Sequence, residues 1–391
     1  MDHPRTLPGS RRHRSDRPAG PLLRRTPRPA PARAGTQGGP RLHDRLRNPQ
    51  VHRPDAGPAP MTGTARTWRS WHLHVASLDP QALETVVVTA LPPVLELVGP
   101  TSDGQPRPWF FIRYWQAGPH VRLRIADLGD RQAADVEALL ADRLARIDAD
   151  LPEERRLTPD AYRRSVEPLA AIGEYGSPLP VEQLAPPGAH RAEYQPEYER
   201  YGGPALLPYS EDLFHASSVV CLRACRARPD HRHAFLDGLE LLAASLSAWP
   251  DRTDRTDRPD RSGLLAGHRD GWRALLARRP GGPPDWEGLD RAVRADAERL
   301  APTAPALREL VAGAPCRWST WTKRLRAAAG GWSTTLGPER ARQILGSHVH
   351  MAHNRLGLSP LREAQLAAVL LALDVTGAPA EPEPATRRGA P

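Results

Sequence analysis

Trp109-Phe110-Phe111-Ile112-Arg113-Tyr114-Trp115, Gln116-Ala117-Gly118-Pro119 and His120-Val121-Arg122-Leu123-Arg124-Ile125 read as strand, turn and returning strand. Aromatic and β-branched residues fill the first run, Gly-Pro closes the turn, and apolar and charged residues alternate in the third, so the segment predicts an antiparallel hairpin. Side chains alternate faces along a strand, which turns Val121, Leu123 and Ile125 inward and leaves His120, Arg122 and Arg124 on the other face. Two arginines about 7 Å apart on one face can grip a carboxylate, and Arg113 on the partner strand is placed to add a third cation. Taken alone, the pattern is also that of a solvated sheet face.

Working outward, residues 68–78 alternate like a strand, Asp79-Pro80 starts a helix, and residues 82–97 carry helical apolar spacing interrupted at Pro92-Pro93. Residues 133–147 form an amphipathic helix. The start of the fold is therefore strand, helix, hairpin, helix. The rest is largely helical, over 212–226, 234–249, 263–279, 290–312, 339–356 and 360–373. This is an α+β fold in a single domain spanning 67–374, with 1–66 and 375–391 expected to be disordered. The charge-alternating repeat between Pro250 and Ser262 is expected to be an exposed loop.

Composition sharpens the boundaries. Residues 1–60 hold 13 arginines against 4 aspartates, a net of +9, while the whole chain of 391 residues is also +9, so the remainder is neutral. That stretch has 12 prolines and little apolar surface to offset the entropy of ordering. It reads as an over-extended start with Met61 as initiator, as a solvated tail, or as a basic arm. Arginine without interleaved aromatics argues against direct nucleic-acid binding. The three cysteines (Cys221, Cys225 and Cys316) and the lack of a signal-like apolar core fit a reducing cytoplasm. Cys221 and Cys225 read as small core residues of one helix. No apolar run approaches a membrane span.

Two further motifs carry polar chemistry. In Glu197-Tyr198-Glu199-Arg200-Tyr201-Gly202-Gly203, paired glycines permit a sharp turn with positive φ, holding Glu197 and Arg200 at the end of an element. An ordinary turn with a surface ion pair has the same sequence. In His348-Val349-His350-Met351-Ala352-His353-Asn354-Arg355, His350 shares a helix face with Asn354 and lies three residues from His353. His348 and His350 point to different faces with no Cys or Asp beside them, so no metal is expected. One histidine acting as acid or base fits the motif, and so does a buried, hydrogen-bonded histidine. Phosphate-binding, Ser-His-Asp and nucleic-acid motifs are missing from the sequence.

In this order and spacing the three motifs resemble the C-terminal, glutamate-eliminating domain of class I lantibiotic dehydratases, which also occurs alone as the thiopeptide-type bacteriocin biosynthesis domain. The resemblance rests on Phe110 to Tyr114, His120 to Arg124, Glu197 to Gly203 and His350 to Arg355, and covers roughly 67–374. It implies a lyase that removes glutamate from glutamylated Ser or Thr of a ribosomal precursor peptide, leaving dehydroalanine or dehydrobutyrine. A separate glutamylating dehydratase is the implied partner, and no cofactor is implied. Arg122, Arg124, Glu197, Arg200 and His350 are the implied catalytic residues. Arg113, His120, Tyr201, Asn354 and Arg355 are expected to contact substrate. The turn after Arg-Tyr departs from the family's Asp-Pro. That keeps open a related activity, pyridine synthesis by formal [4+2] cycloaddition of two dehydroalanines. A non-catalytic leader-binding partner is the third possibility. Retention of both strand arginines, Glu197 and Arg200 favours elimination, because cycloaddition has no glutamate to hold.

Overall fold

Four antiparallel strands, β1 (Trp68–His74), β2 (Trp109–Tyr114), β3 (His120–Ala126) and β4 (Gly188–Ala192), form one sheet in the order β2-β3-β1-β4. This computed structural model describes residues 66–173, 177–249 and 260–377. The expected disorder of 1–65 and of the tail from 378, and most of the predicted loop at 250–262, lie outside the described residues. All described residues fall within the compact unit Pro40–Pro391. Val375, one residue past the expected end of the domain, is buried in the core.

Around the sheet, in chain order, run α1 (Pro80–Val98), α2 (Asp130–Ala149), α3 (Pro159–Ile172), α4 (Leu207–Ala227), α5 (Ala234–Leu246), α6 (Arg261–Leu276), α7 (Trp286–Leu300), α8 (Ala304–Val311), α9 (Ser319–Leu336), α10 (Pro338–Leu356) and α11 (Pro360–Ala372). The fold is α+β, as the sequence predicts. α1 continues through Pro92-Pro93 instead of breaking there. A π turn at Val86–Ala90 just ahead of the prolines widens the helix and gives their rings room. At 19 residues α1 is, by length and composition, apolar enough to cross a membrane, which corrects the sequence estimate. Here Val86, Val87, Ala90, Leu91 and Val94 are fully buried in the protein core. The predicted helix over 290–312 is two helices, separated where Pro302 and Pro305 interrupt the ladder.

The strand register sorts the side chains as alternation requires. Ile112 stands opposite Arg122, Arg122 opposite His72, and His72 opposite His190. One face therefore collects Phe110, Tyr114, His120, Arg122, Arg124, Ser70, His72, His74 and His190. Trp71, Leu73, Phe111, Val121, Leu123 and Ile125 take the other face and are buried. α2 packs on that apolar face, where Glu137 accepts from Trp71 Nε1 at 3.0 Å and pairs with Arg191 of β4 at 2.6 Å.

β2 is an edge strand, and an edge exposes unpaired main-chain groups. Here helices supply the missing partners. Phe111 N–H donates to Ser218 Oγ of α4 (3.2 Å), and Arg113 N–H donates to Asn354 Oδ1 of α10 (2.8 Å). The Asn354 amide in turn donates to the Arg113 carbonyl (2.9 Å), so one side chain takes the place of a strand residue.

Candidate active site

The Arg-x-Arg strand, the Glu197–Gly203 turn and α10 meet on the polar side of the sheet. Arg122 lies over the Tyr114 ring at 3.6 Å, and its Nε donates to His120 Nε2 at 3.1 Å. Arg124 is 6 % exposed and sits between two aromatic faces, 5.2 Å from Phe110 and 5.0 Å from Tyr194. Burial and the neighbouring Arg122 bring its pKa down to about 10, and Arg355 adds to the effect. Glu197 is the carboxylate close enough to act the other way on Arg124, and it accepts from Arg200 Nη1 at 2.9 Å. The turn that delivers this pair needs its glycines. Gly202 and Gly203 take φ of 86° and 100°, and a Cβ on Gly202 would stand 2.8 Å from Leu336 Cδ1.

Arg355 completes the group from α10. It is 1 % exposed; its Nε donates to Ser218 Oγ (2.9 Å) and its guanidinium lies 5.7 Å from the Phe214 ring. Among the described residues, its Nη1 and Nη2 and the Nε of Arg124 are buried with no hydrogen-bond partner. Burial takes the Arg355 pKa to about 10, which leaves it cationic at neutral pH. Four guanidinium groups thus surround a region to which the described residues bring the carboxylate of Glu197 beside Arg200, and that of Glu211 beside Tyr194. Such an arrangement favours an anion, and the buried unpartnered N–H groups are the donors it would meet.

Several expected residues lie elsewhere. Arg113 belongs to the opposite sheet face, where it closes an internal ion pair. Its Nη2 bonds Glu84 at 2.5 Å and its Nε donates to the Arg355 carbonyl at 3.1 Å. Glu84 also accepts from Arg228 Nε at 2.7 Å. The alternation that put Arg122 and Arg124 together places Arg113 out of register with them. His120 is 1 % exposed, with Nδ1 against the Gly118 carbonyl and Nε2 against Arg122, so it orients that arginine. Asn354 is occupied by the β2 edge.

The histidines of the third motif point in different directions. His350 turns away from the arginines and bonds Glu363 of α11 at 2.7 Å. His348, two residues earlier and on a different helix face, is the one beside them. It stacks on Trp332 (5.2 Å, 6° between planes), lies 5.1 Å from Tyr201 and meets Ser210 Oγ at 3.3 Å. Burial, then Arg355 and Arg200, hold its pKa well below the ordinary range, so it is neutral at pH 7. Tyr194, which the sequence reading does not single out, and Glu211, which opens a segment (Glu211 to Ser217) that also fits the resemblance, line this region too. Burial raises the pKa of both, and Glu211 is within hydrogen-bonding reach of Tyr194. Tyr194 sits in no patterned motif that would mark it, and the resemblance gives Glu211 no role of its own.

Among the described residues, two clusters have metal-ligating composition: His72, His74 and His120 on the sheet, and His268, His353 and Glu363 among the helices. The first is poorly suited to a cation. The guanidinium groups of Arg122, which donates to His120 Nε2, and Arg124 stand beside the rings and would repel one. Cys221 and Cys225 are buried on α4, and burial raises both thiol pKa values, in keeping with core residues.

The model of the C-terminal region of lantibiotic biosynthesis dehydratases matches residues 68–373. Among solved structures, the pyridine synthase TbtD from thiomuracin biosynthesis shares the fold, with a TM-score of 0.54 and 19% identity, over 79% of this chain and 97% of that one. TsrL gives 0.52 and 15% identity, over 79% and 95%. The tRNA-dependent lantibiotic dehydratase MibB from Microbispora sp. 107891 gives 0.46 and 22% identity, over 81% of this chain and 28% of that one. No curated protein sequence matches.

Proposed function

The chain belongs to the lantibiotic biosynthesis dehydratase C-terminal family, and we propose that it eliminates glutamate from glutamylated Ser or Thr of a ribosomal precursor peptide. One observation carries this reading: the excess of guanidinium groups, with buried unpartnered N–H donors on Arg124 and Arg355. In the elimination, a base takes the Cα proton of the esterified residue. The Cα–H electron pair becomes the Cα=Cβ bond, and the Cβ–O bond breaks to release glutamate as a carboxylate. Negative charge develops on the peptide carbonyl and on the leaving group, and fixed cations stabilise both better than water does.

Arg124 and Arg355 hold the leaving carboxylate, with Arg122 and Arg200 at the mouth of the site. Glu197 orients Arg200, and Tyr201 packs against His348. His348 is the base; its neutral form at pH 7 is the one that accepts a proton. The glutamyl ester is made by a separate glutamylating dehydratase, so no nucleic acid binds here. The domain itself spans 67 to about 376, with the arginine-rich stretch before it dispensable for the chemistry.

Pyridine synthesis is the second reading, because this chain shares its fold with nearly the whole of TbtD. It gives the unpartnered guanidinium donors no anion to bind.

Mass spectrometry of a peptide carrying one glutamyl-Ser ester separates the readings. Elimination predicts dehydroalanine and free glutamate, a rate down about 100-fold or more in Arg124→Gln and His348→Asn, and near-normal turnover in His350→Gln. An ester left intact by the folded wild type would refute elimination. Conversion of a bis-dehydroalanine peptide would then support cycloaddition.

A further inference from the structure

Glu363 is fully buried, and its two oxygens meet three imidazoles from two other helices. Oε1 lies 2.7 Å from His350 Nδ1, while Oε2 lies 3.2 Å from His353 Nδ1 and 3.4 Å from His268 Nε2. His350 and His353 come from α10 and His268 from α6.

The protons around Oε2 do not add up for neutral rings. His353 Nε2 is 3.3 Å from the Gly238 carbonyl, which can only accept, so its proton belongs on Nε2. That leaves a lone pair on Nδ1 aimed at a carboxylate oxygen. His268 Nε2 accepts the Trp272 indole N–H at 3.2 Å, so it carries no proton to offer Oε2, 3.4 Å away. Oε2 thus faces two ring nitrogens that bring it no proton, and the His353 Nδ1 lone pair and the carboxylate oxygen repel in a dry interior unless a proton or another cation lies between them. An added proton would create an imidazolium on His353, which is itself fully buried.

A metal ion resolves the same conflict, and the spacings suit one. Ligand bonds of about 2.0–2.2 Å in tetrahedral geometry put neighbouring donor atoms about 3.3–3.5 Å apart, against the 3.2 and 3.4 Å found here. The outer contacts are those of ligated groups. The Gly238 carbonyl holds the far nitrogen of His353, and His350 holds the second oxygen of Glu363.

We propose that His268 Nε2, His353 Nδ1 and Glu363 Oε2 form a binding site for one divalent transition-metal ion of the zinc class. Two imidazoles and a carboxylate suit Zn2+ or Fe2+ and not the all-oxygen preference of Ca2+ or Mg2+. The fourth position lies on the side of His268, the one ligand with partial exposure (17%). The ion joins α6 to α10 and α11, and it does so apart from the arginine site. On uptake the Trp272 indole gives up its acceptor on His268, which supplies an optical signal.

The test uses the full chain stripped with a chelator, then titrated with Co2+ and competed with Zn2+. Elemental analysis gives the stoichiometry. One ion per chain, a Co2+ spectrum of low coordination number and a higher melting temperature with metal are expected. His268→Ala, at the partly exposed ligand, should keep the circular dichroism spectrum and weaken binding at least 100-fold. His350→Ala should weaken it about 10- to 100-fold. Trp272→Phe should bind but lose the fluorescence change. The site is overturned if the folded wild type retains no ion above the His268→Ala level, or if His268→Ala binds equally well. Loss of the ion in His72→Ala with retention in His268→Ala also overturns it.

Discussion

Replacing Arg355 with methionine should leave the protein about as stable as before while disabling it. The guanidinium is buried, with one bond to Ser218 and two terminal nitrogens that have no protein partner among the described residues. Methionine keeps the unbranched stem and removes the charge. The loss is one charge-assisted hydrogen bond, about 1.5–3 kcal/mol, and the contact with Phe214, about 0.5–2 kcal/mol. The gain is relief of two buried unsatisfied donors, about 1–3 kcal/mol each. The losses sum to about 2–5 kcal/mol and the gains to about 2–6 kcal/mol, so the two sides nearly cancel, for a net change near zero to within about 4 kcal/mol. Arg113→Met is the internal control. That arginine is fully engaged with Glu84 and the Arg355 carbonyl, and breaking a buried pair costs about 3–5 kcal/mol. Urea unfolding at pH 7 measures both, with equal m-values showing that the comparison is fair. Arg355→Met should keep its midpoint near wild type and lose glutamate release. Destabilisation as large as that of Arg113→Met would mean that the Arg355 guanidinium serves the fold, and the reasoning that makes it an anion receptor would fail.

Two more expectations are open to simple measurement. Asn354→Ala leaves the Arg113 N–H and carbonyl without partners at the β2 edge, so it should cost about 2–4 kcal/mol and speed amide exchange at Arg113; exchange unchanged from wild type would show that the edge is held by other means. Acid should destabilise the fold through the sheet histidines. Burial lowers the pKa of His74 to about 4 and of His120 to about 2, with neighbouring charged or titratable side chains adding to the shift. Below about pH 6.5 the unfolded chain therefore binds more protons than the native one. The stabilisation is complete above 6.5 and falls as pH drops towards 4, by at most about 1.4 kcal/mol per pH unit for each histidine. Urea midpoints at pH 7 and 5 should diverge in wild type and diverge less in His120→Asn; a midpoint independent of pH over that interval would rule the effect out.

The hairpin and the faces of its side chains were legible because a period of two leaves little freedom. Once Val121, Leu123 and Ile125 face inward, Arg122 and Arg124 must share the polar face. The same rule excludes Arg113, but only the register shows it. β4 escaped detection because Gly188-Ala189-His190-Arg191-Ala192 is short and poor in strand formers; pairing with β1 holds it in place. α9 contains Gly330-Gly331 and many Ser and Thr residues, and its packing overrides weak propensity. The direction in which His350 points was hidden for a different reason. Motif spacing tells which residues share a helix face, but not which face meets the sheet. Glu363 and His268, which decide where His350 and His353 point, are distant in sequence and carry no pattern of their own.

α10 sets a limit on how this chain can vary in length. Within eight residues it sends His348 to the arginines, His350 and His353 to Glu363, Asn354 to the strand edge and Arg355 back to the arginines. Each residue turns the helix by about 100°. One residue gained or lost between His348 and Arg355 would therefore misdirect every assignment on one side of the change at once. Insertions and deletions along this lineage should be absent from that octet. Among related chains its length should stay fixed even where the residues themselves drift.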